Sequence, residues 1–194
     1  MAIKQEKVIE KFLIEELGET KGSNTFKNQK NILEKIIKNT KNKSKKQMQT
    51  LIQTILPRVA LYKSLLKEGI SKEETYKIMQ KYMVDIVGKE KNDSMKKMEK
   101  APCFYFLYSN IFLSIVRKSD LWQSTQEKGK DYFKVTMKKC LWHDACVENG
   151  CADLCRLFCD FDNITYANLK KLGFKRTKTL GYGDDCCNFH FYKK

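Results

Sequence analysis

Between Cys140 and His190 this chain gathers seven of its eight cysteines and both of its histidines. Thiolates are soft nucleophiles and metal ligands, imidazole moves protons near neutral pH, and carboxylates serve as bases or orienting groups. Asp144, Asp153, Asp160 and Asp162 supply the carboxylates. A thiol becomes a nucleophile when a cation, a helix N-terminus or an imidazole lowers its pKa. Cys187 follows a Gly-rich turn and Cys146 lies three residues after His143. These two are the candidate nucleophiles, with His143 as proton-transfer partner and Asp162 as a carboxylate that could activate water. Arg176 carries a planar fork that matches two oxygens of a substrate carboxylate. The competing readings are a strand-surface arginine at 176, a helix N-cap at 162, and buried free cysteines packing as small apolar side chains.

Cys151, Cys155 and Cys159 recur every fourth residue, so a helix through all three would carry their sulfurs on one stripe. Cys186 and Cys187 are adjacent and would point to opposite faces of a strand. A metal centre would draw on Cys140, His143, Cys146 and a helical cysteine such as Cys151. Successive cysteines from Cys140 to Cys159 are separated by five, four, three and three residues. Structural zinc sites draw their ligands from two separated close pairs; a continuous run at these spacings is not that signature, so no metal and no other cofactor is expected.

The elements that must hold these groups follow from apolar periodicity. Residues 5–17 predict a helix, Gly22 to Thr25 a turn, and 26–38 a second helix. Lys41 to Lys46 is a basic loop. Residues 48–66 predict a helix interrupted at Pro57, which lacks a backbone donor. Ser71 and Glu74 have capping-box spacing and open a helix to about 87, with Tyr76, Met79, Met83 and Ile86 inward. Residues 89–100 read as a charged surface segment, and 104–116 as the central buried helix. Residues 132–140 alternate as a strand with Phe133, Val135 and Met137 on one face. Short helices are expected over 142–149 and 152–161, and a longer one over 164–171 that stops at Gly173. Residues 174–180 and 187–192 alternate again around a Gly181 to Asp185 turn, as a hairpin. The fold class expected is α+β: a helical N-terminal half packed on a small antiparallel sheet with inserted short helices. It forms a single domain over 1–194, helical over residues 1–120 and Cys-rich over residues 130–194.

At 194 residues the chain can bury a core without covalent staples. Its net charge is +15, carried by lysine, since the arginines are Arg58, Arg117, Arg156 and Arg176. Readers of phosphate and bases favour arginine, and Lys41 to Lys46 has no interleaved aromatics for stacking. Nucleic acid is therefore disfavoured as a partner. Met1 to Lys7 has no leader-like apolar stretch, and the apolar run 103–116 is too short to span a bilayer. A cytoplasmic protein with reduced thiols is expected, without a membrane partner.

The order Cys140, Cys146, Cys151-Ala-Asp-Leu, Cys159, Asp162, then Arg176-Thr-x-Thr179-Leu, Gly183 and Cys187-Asn-Phe-x-Phe191, resembles the L-2-amino-thiazoline-4-carboxylic acid hydrolase family. The resemblance covers the last third of the chain. Where the family has Pro-Glu-Leu this chain has Ala152-Asp153-Leu154, and where it has Cys-Asp-Phe this chain has Cys187-Asn188-Phe189. The resemblance implies a hydrolase that opens a small cyclic amidine carboxylate, with Arg176, Cys159 and Thr179 toward the substrate. Water would add at C2 and the ring C–S bond would break, giving a carbamoylated cysteine. The cysteine-rich end is also similar to the 4-vinyl-reductase ligand-binding domain, which implies a non-enzymatic sensor of a small ligand or metal. The partners expected are a small-molecule substrate and, for assembly, at most a homodimer.

Overall fold

The computed structural model describes residues 5–194; the leader-free reading of Met1 to Lys7 falls partly outside them. The chain groups into two compact units. One holds the residues up to Tyr82 together with Ala145–Leu154, the other Met83–Asp144 and Cys155–Lys194.

The first unit is helical, opening with α1 (Glu6–Leu17) and α2 (Glu19–Asn39). The break falls at Gly18, whose positive φ of 81° turns the chain. The turn expected at Gly22 to Thr25 is absent, because α2 runs straight through it. Gly22 is instead a contact point: a Cβ there would lie 2.5 Å from the Leu13 carbonyl oxygen. Next come α3 (Lys45–Thr50), a π-helical segment Leu51–Ile55 and α4 (Leu56–Lys67). The interruption expected at Pro57 takes this π form. Proline offers no N–H to the Gln53 carbonyl one turn back, and the Gln5 side chain donates to that oxygen at 2.6 Å. Ser44 caps α3 with a full capping box, and Ser71 accepts from Glu74 N at the start of α5 (Lys72–Gln80).

A π-helical stretch, Lys81–Gly88, leads into α6 (Lys89–Met98) and α7 (Phe104–Arg117). Then follow β1 (Trp122–Lys128), β2 (Tyr132–Cys140), α8 (Leu141–Glu148), α9 (Leu154–Thr165), β3 (Leu172–Lys175), a 3-10 turn at Leu180–Tyr182 and β4 (Cys187–Lys193). The strands form one antiparallel sheet in the order β1-β2-β4-β3. Helices and a small antiparallel sheet together make the fold α+β.

In the second unit the inward side chains of β2 and β4 stand opposite one another: Phe133 with Phe191, Val135 with Phe189, Met137 with Cys187. Phe133 and Phe191 stack at 4.7 Å between ring centroids. Phe104, Tyr105, Leu113 and Val116 from α7 complete this core. The helix is not buried all round, as its composition suggested: Phe106 and Ile111 are 62% and 59% exposed. No helix among the described residues is long and apolar enough to cross a membrane.

Two further expectations fail. The helix over 164–171 is absent; α9 ends at Thr165, and Asn168 takes a left-handed φ of 56° that stops helical propagation. The hairpin over 174–180 is shorter, since β3 leaves β4 after Lys175 and the chain makes an excursion through the 3-10 turn before returning.

Candidate functional site

Helix α9 starts at Leu154, so Cys151 lies ahead of it and the expected stripe of three sulfurs does not form. The spacing that does form a stripe is Cys155, Cys159 and Asp162, at i, i+4 and i+7. Strand β4 sends Cys187 to its buried face, and the excursion between β3 and β4 brings Arg176, Thr179 and Gly181 to the same place.

Cys159 sits at the centre. Thr179 Oγ1 donates to its sulfur at 3.0 Å, while accepting from Gly181 N at 3.1 Å. Because Gly181 N–H can only donate, the threonine hydrogen is free for the sulfur. Cys187 accepts from Leu180 N at 3.3 Å, which directs its own S–H toward Cys159. Cys155 makes a third side-chain contact with Cys159, the second from a thiol. The thiol hydrogen bonds and the Arg176 charge hold Cys159 well below the ordinary thiol value, against burial. Cys187 moves the other way, raised by donating to Cys159 and by burial. Cys140, at the end of β2, is pushed up to about 11 by burial, although the N–H groups of Trp142 and His143 point at its sulfur.

Arg176 is sunk among protein atoms, its side chain 3% exposed. It donates to Asp162 Oδ2 at 2.9 Å and to the Cys159 carbonyl at 2.7 Å, and lies against the Phe174 and Phe189 rings. Its fork is thus occupied within the protein. Asp162 keeps 30% of its side chain exposed. Burial pushes its carboxyl up to about 7, opposed by Arg176 and assisted by the charge at Cys159. Asp162 lies in the last turn of α9 and is not an N-cap.

The loop around the sulfur is held by its own polar groups. Asn188 Oδ1 accepts from Thr177 N and Lys178 N at 3.0 and 2.7 Å, and Nδ2 donates to Thr177 Oγ1. Asp184 accepts from Thr179 N at 2.7 Å. Gly181 packs against Cys159, where a Cβ would lie 2.7 Å from the sulfur.

Cys159, Asp162, Arg176, Thr179 and Cys187 are therefore brought together. Cys146 groups with the first unit, where its thiol lies against Cys151. In that unit Asp153 accepts from Tyr62 at 2.8 Å and pairs with Lys72 at 3.3 Å. His143 stands beside Asp144, with Nδ1 3.5 Å from its carboxylate. The set Cys140, His143, Cys146 and Cys151 is thus divided between units, and no three metal-ligating side chains among the described residues could hold an ion. Sequence reasoning placed Cys155 in a sulfur stripe without assigning it to the site, and missed Gly181. The i, i+4, i+7 relation from Cys155 to Asp162 was a readable signal, whereas nothing in a lone glycine announces a sulfur pressed against it.

No curated protein matches the chain. A family model does, over residues 47–191, so the match extends from the cysteine-rich end through most of the helical half as well. The chain belongs to the L-2-amino-thiazoline-4-carboxylic acid hydrolase family.

Proposed function

We propose that the protein hydrolyses a small cyclic amidine carboxylate of the thiazoline type, with Cys159 as the nucleophile. The observation that supports this is the convergence of donors on one sulfur beside a guanidinium. A thiolate so held is nucleophilic at neutral pH. Cys187, favoured from sequence, serves here as a thiol donor to that anion, and Arg176 positions Asp162 and the Cys159 turn of α9. His143 and Cys146 have no role in the proposed chemistry.

The Cys159 thiolate adds to C2 of the amidine. The ring C2–S bond then breaks, and the expelled sulfur takes a proton to become the product thiol; with a pKa near ~8.5 it needs little acid assistance. The enzyme now carries an isothiourea on Cys159. Asp162, with a pKa of about 7, removes a proton from water as it attacks the same carbon. The C–Sγ bond to Cys159 breaks, and the carbamoylated cysteine leaves. The sum is substrate plus one water.

Incubation with L-2-amino-thiazoline-4-carboxylate and mass analysis of products tests this. The expected product is carbamoylcysteine, with turnover reduced at least ~100-fold in Cys159→Ser and ~100-fold or more in Asp162→Asn. Full turnover in Cys159→Ser rejects the assignment. Stoichiometric binding of the thiazoline with no product in the wild-type protein would favour the sensor reading instead.

A further inference from the structure

A recess lies in the second unit, and none of its lining residues belongs to the thiol cluster. It measures about 590 Å³ and opens at the start of α7. Its walls are mostly apolar, supplied by Cys103, Phe104, Tyr105 and Phe106. Its rim is basic: the side chains of Lys128, Lys130, Lys171, Lys193 and Lys194 line it, against one acidic side chain, Asp131, which lies 3.9 Å from Lys193 Nζ. Three of these ammonium groups rest on neutral oxygens. Lys128 Nζ is 2.6 Å from Asn110 Oδ1, Lys171 Nζ is 3.1 Å from the Ala101 carbonyl, and Lys194 Nζ is 2.8 Å from the Leu169 carbonyl. Those carbonyls orient the lysines without neutralising them.

Tyr105 adds an independent observation. It is 8% exposed, and its hydroxyl is buried with no hydrogen-bond partner. The neighbouring Phe133 ring holds the aromatic body in place. The hydroxyl lies within electrostatic reach of Asp131, another lining residue. A buried hydroxyl left unpaired costs about 1–3 kcal/mol; the atom is covered in this structure, so a ligand oxygen recovers that cost once the lining side chains part.

The geometry points to a binding site for a small carboxylate with a flat apolar body: the ring lies on the apolar wall at the exposed Phe106, and the carboxylate meets the lysine rim and, as the lining side chains part, the Tyr105 hydroxyl. Binding removes apolar surface from water while supplying the counter-charge that the rim lacks.

Calorimetric titration with 2-naphthoate, and with the uncharged 2-naphthamide, tests the site on the full chain. Naphthoate is expected to bind at least ~10-fold more tightly than the amide. Tyr105→Phe keeps the ring in the core and is expected to weaken naphthoate about 5- to 10-fold. The paired Lys171→Gln, Lys194→Gln change should weaken it further, and Cys159→Ser should leave it unchanged. Cys103 is exposed, unlike the thiols around Cys159, so bound naphthoate should slow its alkylation. Equal affinity for acid and amide, undiminished affinity in either the tyrosine or the lysine variant, or no binding at millimolar naphthoate would overturn the proposal.

Discussion

Cys159 receives hydrogen bonds from three side chains, and its neighbours are arranged so that each has a hydrogen to give. Thr179 is fixed as a donor to it by Gly181 N–H, and Cys187 by Leu180 N–H. Gly181 therefore does two things: its amide orients the threonine, and its bare Cα lets the loop lie on the sulfur. In Gly181→Ala the added methyl would meet the sulfur at 2.7 Å and the Cys155 carbonyl at 3.1 Å. Backbone cannot yield cheaply, so the loop must lift. A loss of about 1–3 kcal/mol in urea unfolding is expected, together with an upward shift of the Cys159 pKa as the Thr179 contact lengthens. Unchanged stability and an unchanged thiol titration would mean that the loop does not press on Cys159. Asn188 shows a different economy: where the family carries an acid, this chain carries an amide that ties Thr177 and Lys178 into place. The residue is a loop clamp here.

Elements with strong periodicity are legible in the sequence. Strand β2 matches its expected span because Phe133, Val135 and Met137 alternate with polar residues, and burial follows the same alternation. Strand β1 gives no such signal because Trp122–Lys128 is almost wholly polar; as an edge strand it pairs with β2 alone and has little apolar face to bury. The false helix over 164–171 arises because Tyr166 and Leu169 have helical spacing, yet they belong to different local structures on either side of Asn168. The site is half legible for a related reason. Cys187 falls on a strand as its alternation predicts, but a four-residue cysteine repeat suggests that Cys151 lies on the helix, and only the true start at Leu154 separates it. Gly22 reads as a turn because a glycine that breaks a helix and one that admits a neighbouring helix look identical in sequence. The structure predicts that Gly22→Ala, a favourable change by helix propensity, will destabilise the protein by about 1–3 kcal/mol, because its Cβ meets α1 backbone at 2.5 Å. Thermal unfolding decides between them, since propensity alone predicts a higher Tm.

For the whole molecule, two of the perturbed groups, Asp162 and Cys159, act on stability with opposite slopes in pH. Asp162 has a folded pKa of about 7 against an unfolded value near ~3.9. It stays protonated longer in the fold, so its contribution is complete below ~3.9 and is lost as pH rises through about 7. Cys159 is lowered in the fold. Its contribution is present above the ordinary thiol value of ~8.5 and is lost as pH falls through the folded value. Urea midpoints across pH should therefore show the wild-type advantage over Asp162→Asn shrinking between about pH 4 and 7, and that over Cys159→Ser growing toward ~8.5. The overall charge of +15 adds a salt dependence common to all variants, so the comparison belongs at fixed ionic strength. The most direct measurement is the far-ultraviolet absorbance of thiolate in the native protein. One thiolate should persist at about pH 6, well under the ordinary ~8.5, vanish in Cys159→Ser and survive in Cys187→Ser. If every thiol instead titrates near ~8.5 or above, or if the persisting thiolate remains in Cys159→Ser, the account is contradicted.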